Sequence, residues 1–349
     1  MSTAVTVISA LLVFGFLIFI HEFGHYIFAR IFKVKINEFS IGMGPRLLWY
    51  VSKKTDIKYS LSMLPIGGYV AMAGENEEDD DPNAFDKKPA WQRFIITVAG
   101  AGVNIIAGIL AMVILVGIIN VGDTTVAEFV DKETSGFEIS SSESDLRVND
   151  KIIKVDGKRV RILDELSYEI MRRGNEPIDL TVIRDGKEIL LVDVVFPTVD
   201  EQGQSFGMMD FKVHRVEKNF GKILTFSLRK SVLTIRMCWE SLYDLITGRY
   251  TFAAVSGPVG ISSAIGQAAK NGFASLLNIV AIISINLGVM NLLPIPALDG
   301  GRMLTLLFEM ISGKKIPTKI EGIINTVGLA LLLLLTAVVM VKDVIQLII

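Results

Sequence analysis

The chain has 349 residues, 51% of them hydrophobic, and a formal net charge of −2. That near-neutral balance gives no case for nucleic-acid binding, and a mean hydropathy of +0.49 stands well above that of an ordinary soluble chain. The single cysteine, Cys238, excludes an internal disulfide and a cysteine-based metal site.

Residues 1–32 read as a first transmembrane helix, apolar over 4–32 and ending in His21-Glu22-Phe23-Gly24-His25. No Lys or Arg precedes Arg30, so a retained span is expected rather than a signal peptide. Helical spacing sets His21 and His25 about 40° apart around the axis, one turn apart on one face. Two imidazoles so placed suit one zinc ion, and the adjacent Glu22 can take a proton from a metal-bound water. The plain alternative is a pair of satisfied core histidines. Two histidines and a glutamate in hydrocarbon are costly, however, unless they serve a site. If the helix enters the bilayer near Ala4, His21 lies about 25 Å along it, near the far side of a core about 30 Å thick.

Residues 33–92 are expected to form a membrane-associated β region and a cytoplasmic loop. A rough alternation over 33–74, broken by Gly42, Gly44 and Pro65-Ile66-Gly67-Gly68, suggests short antiparallel strands or a hairpin beside the site. Gly67 and Gly68 allow another backbone close, and an open strand edge can pair with an extended peptide. A plain cytoplasmic hairpin is the alternative. The acidic run 75–82 reads as solvated loop and is assigned no metal.

A second transmembrane helix is expected within 93–120, with the span itself over Phe94–Ile119. Gly100, Gly102 and Gly108 permit close helix packing, and Asn104 is its one strongly polar side chain. Asn104 could bond a neighbouring helix or hold a substrate backbone. Residues 121–205 change character to short strands, turns at Asp156-Gly157 and Asp185-Gly186, and an amphipathic helix. In this order they look like a PDZ domain, a fold that binds peptides by strand addition. The usual glycine-leucine and glycine-aspartate pairs stand here as Asp145-Leu146 and Asn149-Asp150, after the stretch SGFEISSSES. Residues 206–273 suit amphipathic interfacial helices, with Leu224, Leu228, Val232 and Trp239 set against Lys222, Arg229 and Arg236.

Residues 274–312 form a third transmembrane segment interrupted by NLLPIPALDGGRM, where Pro294 and Pro296 break the helix. Broken helices at membrane depth are tolerated where they line a site. A catalytic zinc wants three protein ligands and one open position. Only His214 remains among the histidines, so a carboxylate is expected as third ligand. Asp299 in the break is the candidate, and Glu309 is the nearest competitor. Residues 313–349 hold a fourth transmembrane helix, expected as scaffold. Basic residues cluster over 33–93 and again over 302–319, so both regions are expected to be cytoplasmic and both termini external.

The HEFGH, NLLPIPALDGG and PDZ-like elements, with LPIGGYVAMAGE, DPNAFDKKPAWQRFIITVAGAGVN and SGPVGI, resemble the site-2 protease family of intramembrane zinc metalloproteases, most closely the bacterial regulator-of-sigma-E protease type. The resemblance implies a multi-spanning α-helical protein of the bacterial cytoplasmic (inner) membrane with its PDZ-like domain extracytoplasmic. It implies Zn2+ at His21, His25 and Asp299, with Glu22 as general base. It implies that the Gly67-Gly68-Tyr69-Val70 edge clamps substrate, and that Asn104 and Asn291 handle it. The partners implied are transmembrane-segment protein substrates, trimmed beforehand by another protease, and the lipid bilayer. Two departures stand out: one PDZ-like domain where some members carry two, and Ala101-Gly102 where the pattern usually has glycine-proline. A non-catalytic membrane PDZ scaffold with a vestigial zinc site, or a metal transporter, are the readings from other classes.

Overall fold

Apolar length dictates the framework. The computed structural model describes residues 3–75, 77–131, 137, 139–173, 176–201, 204–249 and 255–348. Among these, four helices are long and apolar enough to cross a membrane: Val5–Ile31, Ala90–Ile118, Phe273–Asn291 and Lys319–Ile345. The chain divides into two compact units, Met1–Ala111 with Met237–Ile349, and Met112–Arg236.

In the first unit, α1 (Thr3–Ile31) is followed by two antiparallel strands, β1 (Ile36–Val51) and β2 (Lys58–Met72). These are far longer than the short strands the sequence suggests, because each bends back on itself. Residues 36–41 pair with 68–72 on one side and with 58–61 on the other, and 58–62 pair in turn with 46–51. Four segments result, in the spatial order 68–72, 36–41, 58–62, 46–51, so 68–72 is an outermost edge. Gly42, Gly44 and Gly67, with φ near +90°, take up the bends. Inside the sheet Glu38 is buried against Arg46, Lys58 and Ser60. Burial opposes its charge, but the Arg46 guanidinium and Ser60 hydroxyl prevail and hold its carboxyl below the usual range. Farther out, Met43, Leu47, Leu48, Trp49 and Tyr50 are half-exposed or more.

Helix α2 (Ala90–Ile118) returns along α1. A Cβ on Gly24 of α1 would lie 2.5 Å from the Ala99 carbonyl oxygen, so glycine sets how closely the two helices approach. The rest of the unit comprises the end of α4 (Phe220–Ile246), α5 (Pro258–Lys270), α6 (Phe273–Asn291), α7 (Asp299–Ser312) and α8 (Thr318–Ile348). Leu17, Val13 and Ala10 of α1 bury against Ile265 of α5 and the apolar face of α6. Between α6 and α7 the two prolines turn the chain sharply, with Ala297 left-handed at φ 71°. The loop folds so tightly onto α7 that a Cβ on Gly300 would run into the Leu293 carbonyl, and only glycine fits. Helix α8 leaves Ile323, Val327, Leu331, Leu334 and Val338 exposed, an apolar surface that suits lipid rather than water.

The second unit holds an antiparallel sheet in the order β10-β3-β4-β6-β7, with β5 beside β4. Its strands are β3 (Gly122–Phe129), β4 (Lys151–Val155), β5 (Lys158–Arg159), β6 (Ile178–Arg184), β7 (Lys187–Val194) and β10 (Phe211–Arg215). A separate hairpin pairs β8 (Thr198–Glu201) with β9 (Gln204–Gly207). Helix α3 (Leu163–Arg173) buries Leu166 and Ile170 in a core with Val126, Ile152, Leu180, Phe196 and Phe211. Both expected turns form with left-handed Asp-Gly pairs, at 156–157 and 185–186. The sheet takes in β10, which lies past the expected boundary at 205. Asn149 adopts φ 72°, a conformation asparagine tolerates better than most residues. Its neighbour Asp150 is fully buried and accepts two bonds from Arg184 at 2.7 Å. Of the stretch SGFEISSSES, residues 135, 136 and 138 lie outside the described residues, while Ser140 and Ser141 are tied to the buried Asp210 carboxylate.

Candidate metal centre

Helical spacing alone brings His21 and His25 together on α1, their ring centroids 4.8 Å apart. The break before α7 delivers Asp299 to the same point. His21 Nε2 lies 3.2 Å and His25 Nε2 3.3 Å from Asp299 Oδ2, and the two Nε2 atoms are 3.2 Å apart. The competitor Glu309 is elsewhere, ion-paired with the buried Arg93 at 2.5 Å.

Three donors this close fit one zinc ion. Ligand bonds of about 2.0–2.1 Å in a tetrahedron give ligand–ligand edges of about 3.3 Å. Asp299 Oδ2 is a buried acceptor without a hydrogen-bond partner among the described residues, as expected of an oxygen that faces a cation. The back of each ring is held from α2. His25 Nδ1 donates to the Ile96 carbonyl at 2.8 Å, and His21 Nδ1 lies 3.2 Å from Asn104 Nδ2. Such partners fix ring orientation and tautomer.

Beside the cluster is a cavity of about 400 Å³. Glu22, Tyr69, Val70, Glu75, Thr97 and Arg302 line it with His21, His25 and Asp299. The sheet edge therefore borders the site, and a Cβ on Gly68 would come 3.4 Å from Glu22 Cγ. Asn104 and Asn291 are not among the lining residues: Asn104 sits behind His21, and Asn291 ends α6.

Two features escape sequence reasoning. Gly100 is one. A Cβ there would press on His25 Nε2 and lie 2.9 Å from His21 Cε1, so both rings occupy the space a side chain would need. The other is a clasp in the cavity lining. Arg302 Nη1 donates to Glu75 Oε1 at 2.6 Å and Nη2 to the Glu75 carbonyl at 2.5 Å, while the guanidinium covers the Phe85 ring at 5.3 Å. Glu75 belongs to the acidic run read as solvated loop; in the fold its side chain is only 19% exposed and ties the end of β2 to α7. Arg302→Met removes this tie. It is expected to lower turnover by about 10–100-fold with metal content unchanged, since small misplacements of substrate cost that much. Steady-state kinetics and metal analysis on one preparation check this.

Four helices long and apolar enough to cross a membrane, with a two-histidine, one-aspartate cluster and a glutamate at one cavity, fit a membrane-embedded metal-dependent hydrolase. Comparison with known proteins agrees. The model of peptidase family M50 matches residues 9–335. A Clostridium acetobutylicum protein named as a candidate zinc metalloprotease is 36% identical over 97% of both chains. Another of that description, from Fusobacterium nucleatum, is 33% identical over 97% of this chain and 98% of its own. The regulator of sigma-W protease RasP of Bacillus subtilis is 28% identical over 97% of this chain and 98% of its own. The chain belongs to peptidase family M50, the site-2 protease family, and is a zinc metalloprotease.

Proposed function

We propose that the enzyme hydrolyses peptide bonds within transmembrane segments of membrane proteins already trimmed outside the bilayer, such as anti-sigma factors or signal-peptide remnants, in regulated intramembrane proteolysis. The observation that carries this reading is the meeting of the His21–His25–Asp299 cluster with an outermost strand edge at one cavity. His21, His25 and Asp299 would hold the zinc ion. When bound, zinc supplies Lewis acidity that polarises the scissile carbonyl and lowers the pKa of water.

The remaining work falls to the chain. A peptide bond inside a helix is shielded by its own hydrogen bonds, so the substrate must unwind, and its freed backbone groups then need partners. The edge formed by Gly67, Gly68, Tyr69 and Val70 offers them by strand addition. Gly68 places no side chain between that edge and Glu22. The Glu22 carboxylate takes the proton of the attacking water and hands it to the leaving amine nitrogen. Asn291, next to the broken segment, supplies a further substrate contact. The apolar outer part of the β1–β2 sheet lies in the membrane, the second unit is a PDZ-like extracytoplasmic domain, and both termini are extracytoplasmic in the bacterial inner membrane.

A tagged single-span substrate, incubated with purified enzyme in detergent, tests this reading through the masses of the products. Scission inside the apolar segment is expected. Scission confined to residues outside it contradicts the reading.

A further inference from the structure

We infer that Asn104 is a positioning residue for His21, acting on the metal ligand rather than on substrate; this rests on the zinc reading above. Asn104 is fully buried on α2, and its backbone carbonyl accepts a hydrogen bond from Ser284 Oγ of α6 at 2.8 Å. Its side-chain amide meets His21 Nδ1, on the far side of the ring from Asp299. It does not line the cavity.

A neutral imidazole has one N–H and one lone pair. For Nε2 to direct its lone pair at a cation, the proton must sit on Nδ1, and that N–H needs an acceptor. His25 has one in the Ile96 carbonyl, which can only accept. His21 has Asn104, whose Oδ1 is buried without a hydrogen-bond partner among the described residues while Nδ2 faces the ring. With Nδ2 donating, the proton of His21 belongs on Nε2 and the ring cannot bind metal. With the amide turned over, Oδ1 accepts from Nδ1–H and frees Nε2. Asn104 so turned holds the tautomer in which His21 Nε2 is free to bind.

The test is zinc affinity, by competition with a chromophoric chelator, in wild type, Asn104→Leu, Asn104→Asp and His21→Ala. Substrate kinetics at saturating zinc accompany it. Asn104→Leu is expected to weaken zinc binding about 10–100-fold with KM unchanged. Asn104→Asp keeps an acceptor and should stay within a few-fold of wild type. Asn104→Ala, which also removes the acceptor, takes its place if the leucine variant does not fold. Wild-type affinity in Asn104→Leu, a rise in KM alone, or an aspartate variant that binds zinc about 10–100-fold more weakly would overturn the inference. Undiminished zinc binding in His21→Ala would instead overturn the ligand assignment beneath it.

Discussion

Glu22→Gln is expected to lower proteolysis by about 10²–10⁴-fold, the range that a positioned general base contributes. The amide has nearly the shape of the carboxylate but cannot take a proton from water near neutral pH. Zinc should stay bound, because the three converging donor atoms belong to His21, His25 and Asp299, not to Glu22. Substrate should also still bind, since Gly68 and the strand edge are untouched. The signature is therefore a fall in kcat with metal content and KM preserved. A variant that turns over at a near-normal rate removes Glu22 from the proton-transfer role. A variant that loses zinc as well makes Glu22 part of the metal site rather than the base.

Gly100→Ala should be as damaging although it adds one methyl group. In a helix interior alanine is favoured over glycine by about 1 kcal/mol, so α2 itself does not suffer. The new Cβ would occupy the space of the His25 and His21 rings. Relief by parting the helices would give up the close packing of Gly24 on the Ala99 carbonyl. The rings must then rotate away from Asp299, and zinc affinity should drop by about 100-fold or more, beyond the effect of losing an outer partner. Zinc competition and thermal unfolding on the same sample separate this from misfolding. Wild-type affinity in a folded Gly100→Ala protein would show that the rings have slack that the close contact denies.

The proposed ligand set is legible in the sequence because its chemistry is local. His21 and His25 follow from helical period, and Asp299 from two prolines that break an apolar run. Rival Glu309 could not be dismissed by pattern, since its pairing with Arg93 joins residues far apart in the chain. Long-range geometry hides the other features too. Gly100 reads as one of several small residues in a span, and only the approach of α1 shows what it leaves room for. Glu75 looks like the start of an acidic loop until Arg302 closes on it. The β1–β2 pair alternates only roughly because each strand doubles back, so the two halves face different neighbours. Strand β10 joins its sheet beside β3, more than 80 residues earlier, which no local pattern encodes.

The most direct test of the account is zinc content and substrate cleavage measured together on wild type and Asp299→Ala. The account predicts one zinc per wild-type chain with cleavage that a chelator abolishes and added zinc restores, and loss of both metal and cleavage in Asp299→Ala. Full zinc occupancy and undiminished cleavage in Asp299→Ala would contradict it.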